Sequence, residues 1–66
     1  MEVSVMSNLT EKELMAVQEI LSEEELLIKK FQMLAEHSSD PAVKAQMTEI
    51  AGKHQGHFNS IYSQLN

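Results

Sequence analysis

The sequence predicts an all-α protein in which two antiparallel helices form a hairpin. Apolar residues recur at three-then-four spacing through two stretches of about 25 residues each, which is the period of an amphipathic helix. A polar segment that ends in a proline, residues 37–41, separates the two stretches. A connection this short makes consecutive helices antiparallel neighbours, so the hairpin follows from the period and the break together.

The chain is small and acidic. Its 66 residues include ten acids, five lysines and no cysteine, for a net charge of −5. A core this small rarely stabilises a chain without a disulfide, a metal or a partner. The acidic balance disfavours nucleic acid and anionic membranes as partners. No apolar run approaches the ~20 residues that span a bilayer, and residues 1–8 do not resemble a signal peptide, so we expect a cytoplasmic protein.

Residues 1–9 show no helical period and are predicted to form an N-terminal arm, ahead of a hairpin domain of residues 10–66. The first helix is predicted to begin at Thr10, because Thr10 and Glu13 fit a capping box. In that motif the hydroxyl accepts from the backbone three residues on, and the carboxylate accepts from the backbone of the capping residue. The acids of the first turn also suit the helix dipole.

Two adjacent apolar seams run along the first predicted helix. One contains Leu14, Val17, Leu21, Ile28 and Ala35, and the other contains Ile20, Leu27, Phe31 and Leu34. Continuing either seam leads to Glu24, so the period favours an inward-facing carboxylate there, whereas Glu23 and Glu25 can face water. The alternative is that the whole run from Glu23 to Glu25 is a solvated acidic patch.

Asp40 and Pro41 mark the start of the second predicted helix, because aspartate is a favoured N-cap and proline suits the first helical position. The helix is predicted to reach about residue 64, and its seam contains Val43, Met47, Ile50, His54, His57, Ile61 and Leu65. Gly52 and Gly56 lie on the opposite face. Either they are tolerated on a solvent face, or they admit a further helix, which would make the chain a partner-binding module.

Two helices cannot cover apolar stripes this wide. The sequence therefore predicts that the hairpin pairs with a second copy as a homodimer, which forms a four-helix bundle. A two-fold axis through such a bundle places sites near the middle of each hairpin face to face.

Glu24, His54 and His57 form the candidate site. Counting outward from the turn near residue 38, Glu24 and His54 lie within about one helical turn of the same level. Imidazoles three residues apart project from one helix face and can share a metal, so the three side chains suit zinc, iron or manganese. The alternative is a network without metal, in which Glu24 pairs with His54 or Lys53.

No catalytic residues are predicted. The hydroxyls of the chain fall in helix caps or on outer faces, and no nucleophile has a base at a suitable spacing. A hydrolytic active site is therefore not expected.

Four segments of the chain form a recognisable pattern when taken together. They are Leu9–Met15, Glu24–Phe31, Ser39–Pro41 and Ile50–Phe58, and they contain the elements Glu-Glu-Leu-Leu-Ile-Lys-Lys and Lys-His-Gln-x-His. The pattern resembles the spore coat protein F (coat F) family of endospore-forming bacteria, a branch of the ferritin-like superfamily, over residues 9–65. The resemblance implies a ferritin-like bundle, spore coat proteins as partners, and a role in assembly rather than catalysis.

The resemblance also bears on the candidate site. Ferritin-like helix pairs supply one glutamate from the first helix and Glu-x-x-His from the second to a di-iron centre. Glu24 matches the first-helix glutamate and His57 matches the histidine, whereas His54 stands in place of the second glutamate. The missing bridging carboxylate counts against iron oxidation. The leading hypothesis is a spore-coat-related assembly protein, and the second is a metal-binding protein of degenerate ferritin-like type. The third is the partner-binding module in which Gly52 and Gly56 admit a further helix.

Overall fold

The computed structural model of the chain describes residues 9–65, which form a helical hairpin. Helix α1 spans Glu11–His37 and helix α2 spans Pro41–Ser63, and the two pack against each other. The predicted hairpin is therefore confirmed. Most of the predicted N-terminal arm, residues 1–8, lies outside the described residues, as does residue 66. Neither described helix combines the length and the apolar character that crossing a membrane requires.

Helix α1 begins with the predicted capping box. The Thr10 hydroxyl accepts a hydrogen bond from the Glu13 backbone N–H at 3.1 Å, and the Glu13 carboxylate accepts one from the Thr10 N–H at 2.9 Å. These bonds satisfy two of the backbone donors that a helix start leaves without intrahelical partners.

The capping box makes the helix start sensitive to acid. The hydrogen bond from the Thr10 backbone N–H, and next a side-chain hydrogen bond with Thr10, hold the pKa of Glu13 below its ordinary value. Because the folded-state pKa is the lower one, ionised Glu13 stabilises the fold above the ordinary glutamate pKa of about 4.3. That contribution is lost as the pH falls through the lower, folded-state pKa.

Thr10→Ala is expected to cost about 1 kcal/mol of unfolding free energy at neutral pH, since the N-cap acceptor is removed. The pKa of Glu13, followed by NMR titration of its carboxyl carbon, is expected to rise toward the ordinary value. Thr48→Ala is the matched control, because the Thr48 hydroxyl only donates to the Lys44 carbonyl of its own helix. Equal stability of the two variants in urea denaturation would show that the capping box does not stabilise α1.

The connection between the helices is held by Asp40. Its carboxylate accepts from the Ala42 backbone N–H at 2.9 Å, and Pro41 occupies the first helical position. Ser38 and Asp40 both have extended backbone angles, with ψ of 134° and 117°. The predicted N-cap and the predicted start of α2 are thus confirmed.

The core between the two helices is narrow. Four of the described residues are buried, namely Leu21, Ile28, Ala35 and Ala51. The three in α1 are seven residues apart and form a single line along the helix. Helix α1 therefore packs on α2 with the first of its two predicted seams, and the second seam lies beside the contact.

A set of apolar side chains that the helix packing leaves exposed or half-buried lies on one side of the hairpin. It consists of Ile20, Leu27, Phe31 and Leu34 from α1 and Val43, Ile50 and Ile61 from α2. At about 100° per residue, the α1 members span about 60° of arc and the α2 members about 20°. Ile20 is 45% exposed and Leu34 49% exposed. We call this surface the open apolar face.

The other surfaces of the hairpin differ from the open apolar face. The groove on the opposite side is lined mainly by polar side chains, among them Gln32, Glu36, Thr48 and Gln55. Met15, Leu26 and Met33 are exposed on the outer side of α1, with no apolar counterpart from α2. Apolar side chains of both helices also occur on the opposite side, Ala35 with Ala51 and Ile28 with Phe58, but polar side chains such as Gln32 and Gln55 interrupt them there.

Gly52 and Gly56 lie on the exposed side of α2. A Cβ atom added at either position would meet nothing within 4 Å. Because glycine inside a helix costs about 1 kcal/mol relative to alanine, Gly52→Ala and Gly56→Ala are each expected to raise the unfolding free energy by about that amount. Urea denaturation and sedimentation together check this result. A loss of stability or of self-association would instead show that these glycines admit a neighbouring backbone.

Candidate functional site

Glu24 occupies the middle of α1 and faces α2. It is the central residue of the 27-residue helix, with 13 residues on either side. Its side chain is 16% exposed, whereas Glu23 and Glu25 beside it are exposed. The structure places Glu24 inward, as the helical period predicts, and leaves only its two neighbours as solvated acids.

His54 is the nearest partner of this carboxylate. Its Nδ1 lies 2.6 Å from Glu24 Oε1, and its side chain is 23% exposed. The imidazole also stacks on the Phe31 ring, with centroids 5.7 Å apart and an interplanar angle of 13°. Hydrogen bonds to an ionised carboxylate are shorter and stronger than neutral ones. The carboxylate and the aromatic ring together fix the orientation of the His54 ring.

His57 approaches the second oxygen of the same carboxylate. Its Nδ1 lies 3.5 Å from Glu24 Oε2, and its ring meets His54 edge-on, with centroids 5.7 Å apart. His57 is 61% exposed, although the sequence places it on the same seam as the apolar residues of α2. It follows Ile50 by seven residues, so it lies at the margin of the open apolar face. A single hairpin offers no further helix to cover it.

These contacts also show that the α1 and α2 parts of the open apolar face lie on one side of the hairpin. Glu24 lies between the buried residues of α1 and the α1 residues of the open apolar face, to which Phe31 belongs. These two side chains contact His54 and His57, which border the α2 residues of that face. The candidate site therefore borders the open apolar face rather than the polar groove.

Lys53 and His37 lie outside the cluster. Lys53 Nζ is 3.8 Å from a Glu49 oxygen in an exposed pair one turn apart, a type of pair that contributes little stability. His37 is exposed in the last turn of α1. Of the two partners considered for Glu24 in the network without metal, the structure brings His54 into contact.

Phe31 is a site residue that the sequence analysis treats only as part of an apolar seam. Its ring stacks on one side of the His54 imidazole. The signal that identifies it is its spacing, because Phe31 follows Glu24 by seven residues and therefore lies two turns along the same helix face.

Three potential metal ligands lie close together in the cluster. One ligand atom from each of Glu24, His54 and His57 can be chosen so that all three lie within 4.8 Å of one another. Within residues 9–65, no other three such side chains come as close. Zinc holds nitrogen and oxygen donors at about 2.0–2.1 Å, which separates two donors of a tetrahedral ion by about 3.3 Å. The distance between Glu24 Oε2 and His57 Nδ1, 3.5 Å, is close to that spacing, whereas Glu24 Oε1 and His54 Nδ1 are 2.6 Å apart.

The cluster is also satisfied without an ion. His54 donates from Nδ1 to Glu24 when the proton is on that nitrogen, and no buried side-chain nitrogen or oxygen of the described residues lacks a partner. Buried polar groups in proteins are usually satisfied in this way. The network and the metal site therefore use the same three side chains.

Replacing both Glu24 and His54 by leucine is expected to leave the unfolding free energy within about 1 kcal/mol of the parent, or to raise it, in the presence of a chelator. The reason is that apolar replacement of both members of a partly buried polar pair is often neutral or stabilising, and the leucine at position 54 would pack on Phe31. Thermal and urea unfolding check this result. A loss above about 2 kcal/mol would show that the Glu24–His54 bond holds the helices together.

Comparison of the chain with models of protein families, with curated proteins and with solved structures gives no match. What the chain does is therefore inferred from its own surface and from the cluster of Glu24, His54 and His57.

Proposed function

We propose that the chain is a small assembly protein that forms a homodimeric four-helix bundle. The observation that carries this proposal is the open apolar face, which joins side chains of both helices while only four described residues are buried. Ordering each residue costs about 1–2 kcal/mol of backbone entropy, and burial of apolar surface is the main term that offsets it. A hairpin with so little buried surface gains stability by covering this face.

A second copy of the same hairpin is the occupant that fits best. Ile20, Leu27 and Leu34 are seven residues apart, and Val43 and Ile50 repeat that spacing on α2. A seven-residue repeat is the pattern of helices that pack at shallow angles in four-helix bundles. The two helices, of 27 and 23 residues, are also similar in length, so two hairpins can pack along their whole extent.

Sedimentation equilibrium of the untagged chain tests the homodimer. A dimer that dissociates on dilution, and whose melting temperature rises with protein concentration, is the expected result. A chain that remains a folded monomer at roughly 100 μM would overturn the proposal, since obligate dimers have little stability as monomers.

We further propose that this bundle belongs to the spore coat and has spore coat proteins as partners. The proposal is supported by the four segments that resemble the coat F family, and a ferritin-like bundle built from two hairpins is consistent with that resemblance. Immunodetection in coat extracts of purified spores, with vegetative cells of the same organism as control, tests it. Detection only in vegetative cells would contradict the spore coat proposal and leave the homodimer untouched.

A second candidate function is the binding of a zinc, iron or manganese ion by Glu24, His54 and His57. The observation that favours it is the convergence of one ligand atom from each side chain within 4.8 Å. Elemental analysis of protein purified without a histidine tag, together with thermal shifts on adding each ion, tests it. Metal-free protein that none of the three ions stabilises would contradict metal binding.

A further inference from the structure

We propose that a zinc-like divalent ion is held jointly by two copies of the chain, so that metal binding and dimerisation strengthen each other. The ion lies on the two-fold axis and takes Glu24 and His57 from each copy. His54 holds Glu24 in place and does not bind the ion. This inference rests on the proposed homodimer, and it replaces the three ligands considered above within one hairpin by two ligands from each of two copies.

The distances within one hairpin separate the two proposed ligands, Glu24 and His57, from His54, which only positions Glu24. Glu24 Oε2 and His57 Nδ1 are 3.5 Å apart, close to the roughly 3.3 Å between two donors of a tetrahedral zinc ion. Glu24 Oε1 is only 2.6 Å from His54 Nδ1, which is a hydrogen-bond distance and too short for two ligands of one ion. One carboxylate oxygen is thus engaged by His54, and the other remains for metal.

A single hairpin does not complete this coordination. Structural zinc sites are almost always four-coordinate, and Glu24 with His57 supplies two donors. Glu23 and Glu25 leave α1 about 100° to either side of Glu24, and both are exposed, so neither reaches the same point. The two missing donors therefore come from outside the hairpin.

Glu24 and His57 lie near mid-length of the hairpin, where the same two residues of a second copy can meet them. Glu24 is the central residue of α1, and His57 lies at the margin of the open apolar face. Residues at mid-length of two hairpins packed along their whole extent meet at one level, whether the copies run parallel or antiparallel. A two-fold axis at that level places the same two donors of the second copy opposite the first pair.

His54 has a positioning role in this arrangement. Hydrogen bonds from neighbouring side chains commonly orient a ligating carboxylate and set its basicity. The stacked Phe31 ring limits the rotation of His54, so the hydrogen bond to Glu24 Oε1 directs Oε2 toward His57.

Thermodynamic linkage between ion binding and dimerisation can be measured. An ion that binds the dimer better than the monomer must strengthen dimerisation by the same factor by which dimerisation raises the affinity for the ion. We expect zinc to lower the dimer dissociation constant at least tenfold, within the usual range for coupled sites. Magnesium is the control ion, because it has the same charge and avoids imidazole ligands.

The experiment uses the full, untagged chain after removal of metal with a chelator. Zinc is titrated at one protein concentration well below the dimer dissociation constant and at one well above it, and bound zinc is measured after dialysis. The expected result is one zinc ion for every two chains, with tighter binding at the higher protein concentration. His57→Ala is expected to lose the effect of zinc on dimerisation, relative to its own chelated state, whereas His37→Ala keeps it.

The outcomes separate this inference from the proposed function. One zinc ion per chain, with an affinity independent of protein concentration, places the ion within one hairpin and overturns the inference. A dimer that zinc does not affect also overturns it, but leaves the homodimer standing. A monomer under every condition overturns the homodimer itself.

Discussion

Ile20→Asp is expected to weaken dimerisation at least a hundredfold. Ile20 is 45% exposed in the hairpin and belongs to the open apolar face, so the proposed dimer buries what remains of its surface. Each copy loses about 1–2 kcal/mol of apolar burial and must also remove a carboxylate from water. Sedimentation equilibrium across a concentration series measures the change, and circular dichroism follows the loss of helix on dilution.

Met33→Asp is the matched control. Met33 is 51% exposed, similar to Ile20, but it lies about 140° around α1 on the outer side of the helix. We expect its substitution to change the dimer dissociation constant by no more than a few-fold. Equal weakening by both substitutions would show a general loss of helix stability. No weakening by Ile20→Asp would show that the open apolar face is not the interface.

Glu24→Ala is expected to have the largest effect on stability among substitutions in the cluster. The carboxylate accepts from His54 at 2.6 Å and lies 3.5 Å from His57, so its removal deprives both imidazoles of their partner. Leaving the half-buried His54 imidazole without a partner costs about 1–3 kcal/mol, whereas the exposed His57 imidazole can bond to water instead. Urea denaturation in the presence of a chelator, at a fixed protein concentration, measures this cost without any contribution from metal.

Glu23→Ala is the control for that measurement. Glu23 is the neighbouring residue and is exposed, so the same substitution there is expected to change stability by no more than about 0.5 kcal/mol. Glu24→Ala should also cost more than replacement of both Glu24 and His54 by leucine, because only the first leaves the half-buried His54 imidazole without a partner. A melting temperature unchanged by Glu24→Ala would show that its contacts with the histidines do not contribute to stability.

The helix limits could be predicted from sequence because local chemistry sets them. The capping box at Thr10 and Glu13 and the Asp40–Pro41 start of α2 depend on residues within three positions of each other. The proximity of Glu24 and His54 followed from the same information. With the turn located, the constant rise per residue determines which positions on two antiparallel helices are level.

Which of the two apolar seams of α1 packs on α2 could not be predicted in this way. Both seams are apolar and adjacent, so hydrophobic period alone does not distinguish them. The line that packs on α2 consists of Leu21, Ile28 and Ala35. Which line packs depends on the pairing of positions across the hairpin rather than on either helix alone.

The contact between Phe31 and His54 was also missed, because it depends on side-chain direction. Counting from the turn places Phe31 nearer to the turn than His54. Side chains on a helix lean toward its N-terminus, so Phe31 leans away from the turn and His54 leans toward it. The two rings therefore meet and stack, although their backbones are not level.

The connection at Ser38–Asp40 bears on whether two copies of the hairpin could exchange a helix. In a domain-swapped dimer, α1 and α2 of one chain would fuse into a single long helix. Pro41 opposes that fusion, because proline inside a helix lacks the N–H donor and clashes with the preceding turn, at a cost of about 3 kcal/mol or more. The extended Asp40, whose carboxylate caps α2, would also have to give up that bond. Each chain would bear both penalties, so association through closed hairpins is favoured over helix exchange.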